Sequence, residues 1–371
     1  MIYFDNSASS YYKPPSVVNA MTNALKFLPA NAGRSGHSEA LKGAALVQKT
    51  RERMAFFVTA GDGDVVFTAG CTAALNLAIF GSVRRGGHVI TTVREHNSVL
   101  RPLYELRRRG LITLSVADKV TAEEIGKLVR PETYMIVTNH VSNVNGEVAP
   151  VKEIGWLCRE KGLIYLVDGA QSVGYLPVDM TNDNIDMLAV APHKGLHAAQ
   201  GAGALVASKR VSLRPVIFGG TGTASHELIQ PSDRPDGLEA GTLPLPAIAS
   251  LCAALKWADA TADKNRDKIA SLYSALYDGA KRVAGLEIYS PPDSPSGIFA
   301  FNVSSLAPSE TADILSAEYD ICVRAGLHCA PLMHEHLGLL GSGGCVRASL
   351  GCDNTPEQID FFLRALREIS G

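Results

Sequence analysis

The chain has 371 residues, 46% apolar and 19% charged. That is apolar material for a large core and too much for a disordered chain; at roughly 150 residues per domain it suggests two domains, or one large α/β unit with an appendage. Lys+Arg 35 against Asp+Glu 37 leaves a formal charge of −2, so a dedicated nucleic-acid or membrane-surface role is disfavoured. The start, MIYFDNSASSYYKPP, has no basic segment leading into an apolar one, and no run reaches the roughly 18 apolar residues of a membrane span.

Seven cysteines (71, 158, 252, 322, 329, 345 and 352), odd in number and without C-x-x-C spacing, argue against a disulfide framework or a zinc site. A reducing cytoplasm is the expected setting, with no metal. Cys158 reads as structural, and Cys345 and Cys352 as packing residues on either side of Arg347.

In chain order, residues 64–207 alternate short β-branched or apolar runs with helical patterns. The runs are DVVFT (64–68), HVITTV (88–93), LITLSV (111–116), YMIVTNHV (134–141), LIYLVD (163–168), DMLAVA (186–191) and GALVAS (203–208). Such alternation implies βαβ crossovers and a mostly parallel sheet buried on both faces. Residues 215–246 are rich in Gly and Pro and predict a long ordered loop. A helix at about 245–284 follows, then strand-like 297–304, a helix near 308–319, strand-like 321–326 and 345–351, and an amphipathic helix at 355–369. These predict a smaller α+β domain, with the first 25 or so residues packed against it.

In an open α/β sheet, ligands sit outside the C-terminal ends of the strands. There this chain places Asp168, the sequence His193-Lys194, Glu95-His96 and Asn143, with Gly70-Cys71-Thr72 opening a helix as an anion site. Each alone could be a turn, a cap or a solvated residue. Together they match the needs of pyridoxal phosphate: a lysine for its aldehyde, an acid for its ring nitrogen, a helix start for its phosphate and a ring to cover its face.

The segments FDNSAS, AGCTAALNL, EHNSV, HVSNVNGEVAPVKEI, VDGAQSVG, HKG, EAGT, VRAGLHCAPLMH and CVRASLG, in that order, resemble the cysteine desulfurases of the class V aminotransferase group. The resemblance runs from about residue 2 to 366. It implies the fold type I of pyridoxal-phosphate transferases: an α/β large domain around a mostly parallel sheet (15–245) and a small α+β domain (1–14 plus 246–371). By resemblance, Lys194 would hold pyridoxal 5'-phosphate as a Schiff base, with His193 a phosphate neighbour. Asp168 would pair with the pyridine nitrogen, Gln171 would bond the ring hydroxyl and His96 would stack on the ring. Cys71 and Thr72 would cradle the phosphate, and Thr242 would reach the phosphate of a second subunit, implying a homodimer. Asn143, beside the cofactor, would hold the substrate carboxylate with Arg347, whose planar fork suits it. Cys329 would accept sulfur, helped toward the thiolate by Arg324 and His328.

The implied reaction turns L-cysteine into L-alanine and passes a persulfide to an acceptor protein, for iron–sulfur cluster assembly or another sulfur-transfer route. L-selenocysteine is an alternative substrate, another class V aminotransferase or lyase an alternative activity, and a non-enzymatic scaffold on the same fold a further one. The chain departs from the usual pattern at Ala191-Pro192 (commonly Ser-Gly) and Gly70-Cys71-Thr72 (commonly Gly-Thr-Thr), which removes hydroxyl donors from the phosphate cradle, and at Leu327-His328 (commonly His-His), which removes any role of the first histidine. Residues 31–37, Asn-Ala-Gly-Arg-Ser-Gly-His, resemble a loop near the substrate.

Overall fold

The computed structural model describes residues 1–29, 31–32 and 35–371. The chain opens with β1 (Ile2–Tyr3), α1 (Pro15–Phe27) and α2 (Ser38–Phe57). Strand and helix then alternate through β2 (Asp64–Thr68), α3 (Cys71–Gly81), β3 (Gly87–Thr92), α4 (Asn97–Arg108), β4 (Ile112–Ala117), α5 (Ala122–Lys127), β5 (Thr133–Asn139), α6 (Val151–Lys161) and β6 (Ile164–Asp168), and β7 (Met187–Val190) and β8 (Gly203–Ala207) follow with no helix between them. All seven strands fall on the runs read from the sequence.

They form one sheet in the order β2-β8-β7-β6-β5-β3-β4, parallel except for β8, which is antiparallel to both neighbours. Every residue of β5, β6, β7 and β8 is buried, as a sheet covered on both faces requires. One apolar cluster, including Val65, Ile90, Tyr165 and Leu188, fills one face. A second, including Val66, Val89, Leu166 and Met187, fills the other. The alternation of the two sets along each strand is the period-two pattern of side chains. Six strands therefore point their C-terminal ends at the same edge.

Residues 215–244 run as an irregular ordered segment with one short turn of helix at Asp236–Leu238. Glu239 anchors it, accepting hydrogen bonds from Arg51 and from the Phe67 backbone. Beyond it come α7 (Leu245–Ala280), β9 (Leu286–Ile288), β10 (Ile298–Val303), α8 (Pro308–Tyr319), β11 (Ile321–Cys322), β12 (Arg324–Gly326), α9 (Pro331–His336), β13 (Cys345–Ser349) and α10 (Pro356–Ser370). An antiparallel sheet β12-β13-β10-β9 has its own core, with Phe299, Phe301, Leu276 and Phe362. A reciprocal cap of Thr355 and Gln358, with Pro356 in the first turn, starts α10.

Three details differ from the sequence reading. The run 321–326 divides, because Ile321 and Cys322 pair with β1 while Arg324–Gly326 pair with β13. The short β9 and α9 carry too few residues for a visible period. And only the first part of the N-terminal segment packs on the smaller sheet: Phe4 joins its core, whereas Val17 on α1 joins the core of the seven-stranded sheet.

Candidate active site

Register alone builds the floor of the site. Asp168, last residue of β6, lies beside Asn139 on β5 and Ala189 on β7. Past β7 the chain turns through Ala191 and Pro192, both buried, to His193 and Lys194. Past β3 it reaches His96, and past β2 it reaches Gly70 at the start of α3. A cavity of about 460 Å³ opens between them. Of the residues singled out from the sequence, Cys71, Thr72, His96, Asn143, Asp168, Gln171, His193 and Lys194 all line it. Cys329, Arg347 and Thr242 do not.

The Lys194 amine has no hydrogen-bond or ion-pair partner among the described residues. Burial depresses its pKa, against the opposing pull of Asp168, which biases it toward the neutral nucleophilic form. Asp168 Oδ1 accepts from the Ala170 backbone at 3.0 Å and lies 3.7 Å from Cys71 Sγ, leaving Oδ2 uncommitted among those residues. Burial, and then Asp168, pushes the Cys71 thiol well up, so it stays protonated and donates to the carboxylate. The Cys71 side chain thus lies beside Asp168, and what Cys71 can offer an anion is its backbone N–H at the start of α3.

His96 caps α4, its Nδ1 accepting from the Ser98 backbone at 3.0 Å. That bond makes Nδ1 an acceptor and assigns the ring proton to Nε2. Burial depresses the His96 pKa, so the ring is neutral. Ser98 Oγ links His96 Nδ1 at 2.9 Å to Thr72 Oγ1 at 2.8 Å. Gln171 Nε2 donates to Ser7 O at 3.1 Å, and its Oε1 is buried with no partner among the described residues. His193 is neutral too, its pKa brought down to about 4 by burial.

Arg347 is 2% exposed. It donates from Nη1 to Asn143 O at 2.8 Å and from Nη2 to Asp5 Oδ1 at 2.9 Å, while its Nε has no partner among the described residues. Asn143 donates from Nδ2 to His328 O at 2.7 Å and its Oδ1 is likewise unpaired. Unpaired buried polar atoms at these positions suit a bound polar ligand. Cys329 is exposed and lines an adjoining recess of about 440 Å³ that shares Thr72, His96 and Ser98 with the main cavity. Thr242 is exposed in another recess, accepting from Asn31 at 3.4 Å. Of the loop 31–37, Gly33 and Arg34 lie outside the described residues.

One expectation is overturned. The His328 ring is hydrogen-bonded through Nε2 to Cys345 O at 3.0 Å, and burial takes its pKa to about 2. It carries no charge at neutral pH and cannot draw the Cys329 thiol toward its thiolate.

Sequence reasoning passed over Ser98, which the EHNSV segment offers as a residue able to bond the histidine two before it. It placed Glu95 at a strand end but gave it no role. Fully buried, Glu95 accepts from Thr92 Oγ1 at 2.6 Å and the Asn139 backbone at 3.0 Å, and desolvation lifts its pKa to about 8. Its folded-state pKa exceeds the ordinary 4.5, so its contribution to stability is complete below that value and is lost as pH rises toward about 8. Denaturant unfolding should show the chain weakening over this window and Glu95→Gln weakening less; equal pH slopes would refute the assignment.

These elements belong to a known group. Residues 2–362 match the family described as Aminotransferase class-V, and the chain is a member of that family. Within it the chain is similar to cysteine desulfurases. A probable cysteine desulfurase of Methanothermobacter thermautotrophicus is 34% identical over 381 residues, covering 100% of this chain and 95% of that protein. The apo cysteine desulfurase of Thermococcus onnurineus NA1 superposes with a TM-score of 0.91 at 28% identity, covering 100% of this chain and 94% of the other. The cysteine desulfurase CsdA of Escherichia coli gives 0.87 at 26% identity, covering 99% and 94%. The fold is thus fold type I of the pyridoxal-phosphate enzymes, and the family implies that cofactor.

The residues present fit it. Among the described residues, an amine without a partner, a carboxylate oxygen without a donor, an unpaired amide oxygen and a helix start surround one cavity. Gly203 supports that helix start from β8: a Cβ there would lie 2.4 Å from the Gly70 backbone carbon. Gly203→Ala should therefore push Gly70 and weaken pyridoxal phosphate binding by roughly tenfold or more. Absorbance titration checks this, and an unchanged affinity in a folded variant would count against the anion site at α3.

Proposed function

We propose that this protein is a pyridoxal-phosphate-dependent cysteine desulfurase, converting L-cysteine to L-alanine and passing the sulfur through a Cys329 persulfide to an acceptor. The observation that carries this reading is the pair of adjoining cavities, one holding the Lys194 amine and the other the exposed Cys329, with His96 on the wall common to both. When bound, the cofactor supplies an electron sink for the substrate Cα.

Lys194 would hold the cofactor and, as a neutral amine, remove the Cα proton. Asp168 Oδ2 would face the ring nitrogen and keep it protonated, and Gln171 Oε1 would accept from the ring hydroxyl. The backbone N–H groups of Cys71 and Thr72 would take the phosphate beside His193, in place of the hydroxyls absent at Ala191-Pro192. The second Nδ2 hydrogen of Asn143 and the Nε–H of Arg347, without a partner among the described residues, would donate to the substrate carboxylate. His96, with its proton fixed at Nε2, would cover the ring and stand ready to donate at the substrate sulfur. The Cys329 thiolate would attack that sulfur, forming an S–S bond as the C–S bond breaks and its electron pair remains with the alanine fragment.

Further supports bear on the setting. Thr242 is exposed among Val216, Ile217 and Leu243, as a residue reaching the second subunit of a homodimer would be. All seven cysteines are free, in keeping with a reducing, cytoplasmic setting and sulfur-transfer or iron–sulfur cluster pathways. Among the described residues no helix is long and apolar enough to cross a membrane. We divide the chain into a large domain at 15–245 and a small one formed by 1–14 plus 246–371, on the separate cores that Val17 and Phe4 join.

The test is direct: the purified protein with L-cysteine, with and without a thiol reductant, measuring alanine and sulfide together. Equimolar alanine and sulfide without any added keto acid is the expected result. Alanine formed only when a keto acid is supplied would assign an aminotransferase instead, and a strong preference for L-selenocysteine would assign a selenocysteine lyase.

A further inference from the structure

A buried cluster behind the Cys329 loop takes no part in this chemistry. His328, His334 on α9 and Cys345 on β13 are all buried, with their ligand atoms within 4.8 Å of one another. Each histidine has one ring nitrogen tied to a backbone carbonyl: His334 Nδ1 to Ala330 O and His328 Nε2 to Cys345 O, both at 3.0 Å. A carbonyl oxygen only accepts, so those nitrogens carry the protons. The opposite nitrogens, His334 Nε2 and His328 Nδ1, keep their lone pairs. His334 Nε2 lies 3.6 Å from Cys345 Sγ. His328 Nδ1 is buried and has no partner among the described residues.

A thiol-to-imidazole hydrogen bond accounts for His334 and Cys345. It leaves the His328 lone pair unexplained, although buried acceptors are nearly always paired. Metal-binding histidines are built in this way, one nitrogen oriented by a carbonyl and the other free to ligate. The chain carries no C-x-x-C spacing here: the three residues come from a loop, a helix and a strand, and only the fold unites them.

We propose that His328, His334 and Cys345 form a three-ligand site for a thiophilic d10 cation, Zn2+ or Cu+. One thiolate with two imidazoles is a borderline-to-soft donor set, which selects these ions over Mg2+ or Ca2+. On binding, the Cys345 S–H proton leaves to solvent and an S–metal bond forms, with no change of oxidation state. The surroundings add a charge argument. Val144, Ala300, Ala330 and Met333 make an apolar wall around Cys345, and the Arg347 charge bears on Cys345 and His328. A thiolate with Cu+ is neutral overall, whereas Zn2+ leaves one positive charge that such a wall solvates poorly. The ion would clamp the residue preceding Cys329 to α9 and β13, fixing the base of the sulfur-accepting loop.

The test uses the full chain carrying Cys329→Ala, so that the exposed thiol cannot bind metal. After treatment with a chelator, ZnCl2 or anaerobically held Cu+ is added, and bound metal is measured by mass spectrometry and X-ray absorption. The expected result is about one ion per chain, with one sulfur and two nitrogens in its shell, for at least one of the two ions. Adding His334→Gln or Cys345→Ser should weaken binding by at least roughly a hundredfold. The absorption spectrum reads the unaltered cluster, so the proposal stays testable if either substitution impairs folding. Absence of binding by both ions, a shell without sulfur, or full binding by folded His334→Gln would overturn it. None of these readouts depends on desulfurase activity.

Discussion

Replacing Lys194 with alanine is expected to lower alanine formation from L-cysteine by roughly 10⁴-fold or more, the scale seen when a group central to covalent catalysis is removed. Lys194 is the one lysine lining the cavity, and its amine has no partner among the described residues. His96 and His193 are neutral rings whose pKa values burial depresses, and the Cys71 thiol is held protonated against Asp168. None offers an aliphatic amine to hold an aldehyde. The variant should also lose the visible absorption of a cofactor joined to lysine, while α3 still binds the phosphate end noncovalently. Removing the amine should shift the thermal midpoint little, since its burial is a cost to the folded state rather than a support. A variant that keeps more than a hundredth of the activity with the cofactor absorption unchanged would show that position 194 is not the attachment point.

Most of the fold was legible in the sequence because buried parallel strands announce themselves. IYLVD and MLAV are apolar throughout, and all seven expected runs became strands of one sheet. The eight predicted residues that line the main cavity were legible for a related reason: they stand at or just after strand ends, so finding the strands finds the rim. What stayed hidden depends on side-chain direction. Whether Cys71 turns toward Asp168 or away from it, whether the His328 ring bonds the Cys345 carbonyl, and whether His96 carries its proton on Nδ1 or Nε2 are matters of rotamer and hydrogen-bond partner. No spacing encodes them. Arg347 shows the same limit: its place on β13 was foreseen, but its pairing with Asp5, far away in sequence, arises only when the N-terminal segment lies against β13.

Cys329→Ala should cut sulfide production by roughly 10³-fold or more while leaving the cofactor bound. The separation follows from geometry. Cys329 lines the recess beside the main cavity and not the cavity itself, so removing its sulfur disturbs none of the groups proposed to hold the cofactor. Its backbone, not its thiol, makes the local contact, the carbonyl accepting from Asn97 N–H at 2.7 Å. His328 and Cys329 both have positive φ, 47° and 56°, a conformation non-glycine residues adopt at a cost and which marks positions a fold holds for a purpose. Alanine tolerates it no worse than cysteine, so the loop should persist and the loss should be chemical. Because selenium leaves carbon more readily than sulfur does, the same variant should retain much more activity on L-selenocysteine, and comparing the two substrates reads the need for the thiol directly. Full alanine production from L-cysteine by Cys329→Ala would remove the persulfide step and place sulfur release within the Lys194 cavity alone.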